Sequence, residues 1–286
     1  MRQLKQPGPV ALERIESVAA PLETLDFILK PGLSLNAAIA GPLMDAGFTA
    51  AAVSFTDGAL APFEYVMPAP SPDPDHAAWY SAKYAPVGET LITAANVTYG
   101  TRDGGPFIHC HAIWHSADGA LAGGHILPLE SVVSRPTQAR AWGTRGATIV
   151  ARPDPETNFT LFTPEPTPVP EGGQRTLLLA RLRPNIDVCA ALEEVCRRHN
   201  VRHALVRGSL GSLVGAEFDD AAFLPDTATE FLVREGVVTT GPSGELEARL
   251  RIAIVGMSGD LREGWLTRGQ NGVCITCEFA LEAISA

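Results

Sequence analysis

One stretch in the first half of the chain gathers residues able to do chemistry: Pro106 to His125, PFIHCHAIWHSADGALAGGH. His109, His111, Ile113 and His115 alternate with Cys110, Ala112 and Trp114, the period-two pattern of a strand. Ala117-Asp118-Gly119 is turn chemistry and residues 121–126 form a return, so the stretch predicts a β-hairpin with a three-residue loop. That loop sets Ser116 opposite Ala120 and His111 opposite His125, with Cβ atoms about 4.5–5.5 Å apart on one face. His109 shares this face, about 6.6 Å along the strand. Three imidazoles with a free fourth position are the donor set of a catalytic-type zinc centre. Zinc, or another divalent transition metal, is therefore the expected cofactor, with His109, His111 and His125 as ligands. Gly123 and Gly124 are expected to leave ligand space beside them. A one-residue slip would send His125 to the other face, so the whole reading hangs on register.

The elements that must position these side chains occur twice. LKPGLSLNAAI from Leu29 matches LRPNIDVCAAL from Leu182 at an offset of 153, and GETLITAANVT from Gly88 matches TEFLVREGVVT from Thr229 at 141. The hairpins then match at 140. The falling offset means that the first copy holds extra residues, assigned to the Pro-rich insert 67–84. Each copy is predicted to run strand, helix, strand, then several antiparallel strands. Asp187 can cap a helix whose Val188, Ala191, Leu192, Val195 and His199 recur at helical spacing. Ser34 caps its counterpart, which Gly41-Pro42 is expected to kink or end. Strands at Ala147–Ala151 and Phe159–Phe162 extend the first copy. The expected architecture is α+β: two tandem domains, 20–163 and 174–286, each an antiparallel sheet with a packed helix. The Pro-rich segment 164–173 is read as a stiff linker.

The second copy lacks the histidines. Arg249, Arg251 and Trp265 stand where the first has His109, His111 and His125, so this copy is expected to be free of metal. Arg249 and Arg251 either fork a carboxylate or stack on Trp265 at the sheet surface. Glu89, opening an adjacent strand, is the carboxylate best placed to serve as acid or base, although Glu230 keeps the same place in the copy without histidines. His76, in the insert, could approach the site as part of a lid. Cys274-Ile275-Thr276-Cys277 matches C-x-x-C but lies in an expected strand, where its thiols point to opposite faces; buried packing is the reading for it and for Cys110. His115, His199 and His203 are read as surface residues. There is no Gly-rich phosphate loop of the usual spacing and no serine or cysteine nucleophile motif.

Pro106, His109, His111, Asp118, Gly119, Gly123, Gly124 and His125 form P-x-x-H-x-H, then D-G, then G-G-H. This pattern resembles the PPC domain (plants and prokaryotes conserved), often called AT-hook-associated. The resemblance extends more weakly through both halves of the chain. It implies compact domains around an antiparallel sheet, trimers, and in several prokaryotic members a metal held by the three histidines. It also brings a DNA-binding label.

Charge argues against that label. The 286 residues hold 22 basic and 32 acidic side chains, a net charge of −10, and include no RGRP-like AT-hook core. Such a balance supplies no general attraction to nucleic acid or anionic membrane. Residues 1–20 lack the apolar run of a signal peptide, no run long enough to span a bilayer follows, and five scattered cysteines fit a reducing cytoplasm. The expected function is a metal-binding tandem PPC-domain protein that acts on or senses a small, carboxylate-bearing molecule; a DNA-binding regulator is the alternative. Enzyme and binding module both stay open, and a homotrimer is the expected assembly.

Overall fold

The computed structural model describes residues 1–116, 119–168 and 175–284. Turn residues Ala117 and Asp118, and residues 169–173 of the expected linker, lie outside the described residues. In chain order the elements are β1 (Ile15–Pro21), β2 (Glu23–Leu29), α1 (Leu35–Asp45), β3 (Ala50–Leu60), the two-residue strands β4 (Tyr65–Val66), β5 (Pro68–Ala69) and β6 (Trp79–Tyr80), β7 (Thr90–Arg102), β8 (Gly105–His115), β9 (Leu121–Ile126), β10 (Thr137–Thr144), β11 (Ala147–Pro153) and β12 (Thr160–Pro166). The second half continues with β13 (Thr176–Leu182), α2 (Val188–Arg198), β14 (Ala204–Leu213), the short β15 (Ala216–Glu217) and β16 (Phe223–Leu224), β17 (Thr229–Thr240), β18 (Leu246–Gly256), β19 (Leu261–Trp265) and β20 (Val273–Ala283).

The repeat is written into the strand order. One sheet runs β2-β10-β3-β7-β8-β9-β4 and the other β1-β13-β20-β14-β17-β18-β19. Matched position by position, β2 corresponds to β13, β10 to β20, β3 to β14, and the β7–β8–β9 run to β17–β18–β19. Even the irregularities agree: β7 slips register against β8 between Ile92 and Ala94, and β17 against β18 between Val233 and Glu235. Each sheet is antiparallel along this path and carries one helix, an α+β architecture in two tandem copies.

The helices form where the caps and apolar spacing place them. The Ser34 hydroxyl accepts from the Ala37 N–H at 3.2 Å and the Asp187 carboxylate from the Ala190 N–H at 2.9 Å. Leu35, Ile39 and Leu43 of α1 are fully buried in the first core with Trp114, as Val188, Leu192 and Val195 of α2 are in the second. Each such side chain contributes about 1.5–3 kcal/mol on burial. Gly41-Pro42 does not end α1, which continues to Asp45. A proline ring crowds the side chain of the residue before it, and glycine there has none, so the helix loses a hydrogen bond but is not broken.

Two domain limits also differ from those expected. β1, mostly ahead of residue 20, pairs along β13 and belongs to the second sheet, covering an edge that would otherwise be open. Residues 164–166, expected in a linker, finish β12, paired along β11.

The two sheets pack directly on each other. Ala94 and Ile113 of the first copy meet Leu232 and Ala253 of the second, and farther along Ala50, Ala52 and Ile149 meet Leu177, Leu179 and Ala280. Gly208 sits at the closest approach with φ +50°, where a Cβ would lie 2.9 Å from the Val53 carbonyl. Asn96 of β7 donates to the Ser209 and Val233 carbonyls, each at 2.8 Å. A buried charge network completes the joint: Asp154, from the turn between β11 and β12, accepts from Arg181 of β13 and from Arg183 just after it, both at 2.6 Å. Burial works against the Asp154 charge, but the hydrogen bond and charge of Arg181, then the charge of Arg183, hold its pKa at about 2. Among the described residues no helix is long and apolar enough to cross a membrane.

Candidate metal centre

The β8–β9 register pairs His111 with His125 and His115 with Leu121. His109, His111 and His125 consequently share one face, with ring centroids 4.7–5.4 Å apart. The face is only partly open to water, His111 being buried and His109 and His125 half-buried. It lies against the second copy, whose β17 and β20 bring two carboxylates to it. Glu230 reaches the His111 Nε2 with one oxygen, and Glu278 Oε1 lies 3.0 Å from His109 Nδ1.

The outer nitrogens settle the tautomers. His111 Nδ1 is 2.8 Å from the Phe231 carbonyl, which can only accept, so Nδ1 carries the proton. His109 Nδ1 likewise donates to the Glu278 carboxylate. The two Nε2 atoms face each other at 3.0 Å, with the Glu230 oxygen beside them. Lone pairs brought together in this way repel unless a proton or a metal cation stands among them. One donor atom from each of His109, His111, His125 and Glu230 falls within 4.8 Å of every other. His125 Nδ1 and Glu278 Oε2 are buried without a hydrogen-bond partner. Three imidazoles and a carboxylate fit a zinc-like ion, and the Glu278 and Phe231 contacts are the outer hydrogen bonds that orient metal-bound histidines.

Electrostatics differ from ring to ring. Burial, then the neighbouring His109 and His111, push the His125 pKa well below the usual imidazole value, which keeps it neutral. For His109 burial works downward, but the Glu278 charge and hydrogen bond outweigh it and raise the pKa. Glu278 mirrors this: burial works upward, and His109, with a hydrogen bond from Thr98, brings it down.

The Pro-rich insert lies over the cluster. Tyr80 of β6 packs edge-on against His125, centroids 5.3 Å apart. Burial, then the Glu230 and Glu278 charges, raise the pKa of its phenol. His76 packs on Trp79 and Phe159 instead of reaching the histidines. On the His109–His125 side a cleft of about 610 Å³ opens, with Tyr80, Arg102, Phe107 and Phe162 in its walls.

Several expected site residues are placed elsewhere. Glu89 is tied to Arg135 and Ser134 on the surface and is not part of the cluster. Its counterpart Glu230 is, and it fills the fourth position that three histidines alone leave open. Gly123 and Gly124 offer no ligand space: a Cβ would meet Leu261 at 3.1 Å in one case and the Val66 carbonyl at 2.8 Å in the other. They allow close packing against the second copy and β4. Arg251 does face Trp265 across its hairpin, but its guanidinium is taken by Glu235 at 3.0 Å and Glu263 at 2.9 Å. Arg249 stacks over Trp265 at 4.8 Å. His115 is exposed, and Cys110, Cys274 and Cys277 are free, buried thiols; burial, then Glu230, push Cys274 up to about 12. Glu278 escaped sequence reasoning. Its signal was there, since Glu278 interrupts the largely apolar run Val273–Leu281, and a buried carboxylate demands a partner.

No family model matches the chain, and no curated protein matches it. It is similar to solved structures, each covering about half of it. A plant- and prokaryote-conserved (PPC) protein from Pyrococcus horikoshii is 17% identical, with a TM-score of 0.42, over 53% of this chain and 97% of its own. A metal-containing protein from Archaeoglobus fulgidus is 19% identical, TM-score 0.40, over 57% and 99%. A suspected DNA-binding protein from Bacteroides thetaiotaomicron is 12% identical, TM-score 0.38, over 49% and 90%.

Proposed function

We propose that this protein holds a zinc-like ion between its two copies and uses that centre to act on or sense a small, carboxylate-bearing molecule. The observation that carries the reading is the convergence of one donor atom from each of His109, His111, His125 and Glu230, all within 4.8 Å of one another. His109, His111, His125 and Glu230 would hold the ion, and Glu278 and the Phe231 carbonyl would orient two of the rings. A bound divalent ion supplies Lewis acidity. Access is from the cleft side, at His109 and His125, because Glu230 stands on the other. The insert, through Tyr80, forms part of the wall past which a molecule must enter.

Protein purified without chelator is expected to carry about one zinc-like ion per chain by elemental analysis, the stoichiometry of one donor set of this kind. His111→Ala should abolish it. Wild-type protein that takes up no metal after zinc reconstitution would reject the reading, and two ions per chain would contradict a metal-free second hairpin. A homotrimer of about 91 kDa, three chains of 30.3 kDa, is part of the proposal and rests on the family resemblance and the usual cyclic symmetry of homo-oligomers. A light-scattering mass of one chain would remove it.

DNA binding is the weaker reading. The arginines nearest to a basic patch, Arg249 and Arg251, are engaged with Asp219, Glu235 and Glu263, so phosphate contact would first have to break ion pairs.

A further inference from the structure

The cleft beside the cluster, which His109 and His125 also line, has further chemistry of its own. The β7–β8 hairpin closes through the two-residue turn Asp103-Gly104, both at positive φ, which fixes Arg102 at its base opposite Gly105. The Arg102 guanidinium lies 5.1 Å over the Phe107 ring. Among the described residues its one acidic contact is a loose 3.6 Å to Asp103, whose side chain is 93% exposed. A half-exposed guanidinium steadied on an aromatic ring, with most of its donors unspent, is well suited to accept a planar carboxylate. Tyr80, on the same wall, presents a phenol that is protonated at neutral pH.

The remaining wall is apolar. Phe107, Phe162, Leu127 and Leu129 line the cleft, and Leu129 is 58% exposed. Its volume of about 610 Å³ suits a small molecule. Asp103 and Glu130 also line it, and their charges oppose a second negative group.

We propose that this cleft binds a monocarboxylate with an apolar, ring-sized body, its carboxylate held by Arg102 with the Tyr80 hydroxyl, and its body against Phe107, Phe162 and Leu129. The proposal rests on reading the cleft as the ligand entrance to the metal centre, and it names the substrate class and the residues that select it. A dicarboxylate or a phosphate ester is excluded by the acidic rim. A short aliphatic acid leaves the apolar wall bare and binds weakly.

Calorimetric titration with benzoate, phenylacetate and 3-phenylpropionate tests it, on zinc-loaded and on chelator-stripped protein, with zinc content measured on the same samples. At least one aryl acid should bind. Its amide, and propionate, should bind at least about tenfold more weakly, the scale of one lost charge-assisted contact. Arg102→Gln should weaken the acid by about tenfold or more with zinc content unchanged. Leu129→Asp, an exposed position that leaves the core intact, should do the same by repulsion. Binding of none of the three acids, equal binding of the amide, or unchanged affinity in Arg102→Gln would overturn the proposal. Protein that carries no zinc but keeps Arg102-dependent binding would reject the metal reading and leave this one standing; zinc without Arg102 dependence would do the reverse.

Discussion

The two copies share strand order, a register slip and a capped helix, yet their hairpins have diverged completely in chemistry. In the first, His109, His111 and His125 line one face; in the second, Arg249, Arg251 and Trp265 hold the same positions and make surface ion pairs and a cation–π contact. The second copy has nevertheless kept a place in the chemistry. It lends Glu230 and Glu278 to the histidines of the first, whereas Glu89, the counterpart of Glu230, faces solvent and Arg135. The difference teaches that a repeat can lose its own site and become half of its neighbour's. What matters is which face each copy presents at the joint.

The largest effect should come from breaking the joint itself. Asp154→Ala leaves the buried Arg181 and Arg183 without their shared carboxylate, at a cost of about 3–5 kcal/mol in denaturant unfolding. The pH dependence follows in sign. The folded pKa of Asp154, about 2, lies below the ordinary 3.8, so its stabilisation is complete above 3.8 and is lost as pH falls toward 2. Acid unfolding followed by circular dichroism should lose this component in Asp154→Asn. An unchanged acid limb would show that the two copies are not held by this network.

A smaller effect tests the division of labour. Glu278→Gln should weaken zinc affinity by about 10–100-fold, as loss of an orienting partner does, while Glu89→Gln leaves it unchanged. Competition with a chromogenic chelator measures both. Equal losses from the two variants would mean that the copies contribute alike, against the asymmetry seen at the joint.

The smallest effect is expected on the second hairpin. Arg249→Ala with Arg251→Ala removes exposed pairs, each worth less than about 1 kcal/mol, and should leave zinc content untouched. Fluorescence anisotropy with mixed-sequence duplex at physiological salt should give no binding tighter than about 10⁻⁵ M for wild type or variant. Submicromolar binding that is lost in the double variant would make the second copy a DNA reader and reverse the ranking of functions.

Much of the site was legible in the chain because it is local. Period-two alternation and loop length determine which histidines share a face, and an eleven-residue helix in each copy follows from Ser34, Asp187 and the apolar spacing behind them. Other features read wrongly for want of a neighbour. Pro42 looked like a break because the tolerance of Gly41 and the burial of Leu43 are not visible in a propensity. Gly123 and Gly124 looked like ligand space because nothing in their spacing says that Leu261 and Val66 pack there.

By itself, then, the sequence determined the repeat, the two sheets, the histidine face and its replacement by Arg249, Arg251 and Trp265 on the second hairpin, all consequences of periodicity over short stretches. Only the tertiary structure decided what that face meets. Glu230 and Glu278 lie more than a hundred residues from His125 and enter the centre because two apolar sheet faces, Ala94 and Ile113 against Leu232 and Ala253, dock in one register. Burial of those faces is non-directional and proportional to area, so no spacing along the chain encodes which carboxylates it carries to the histidines.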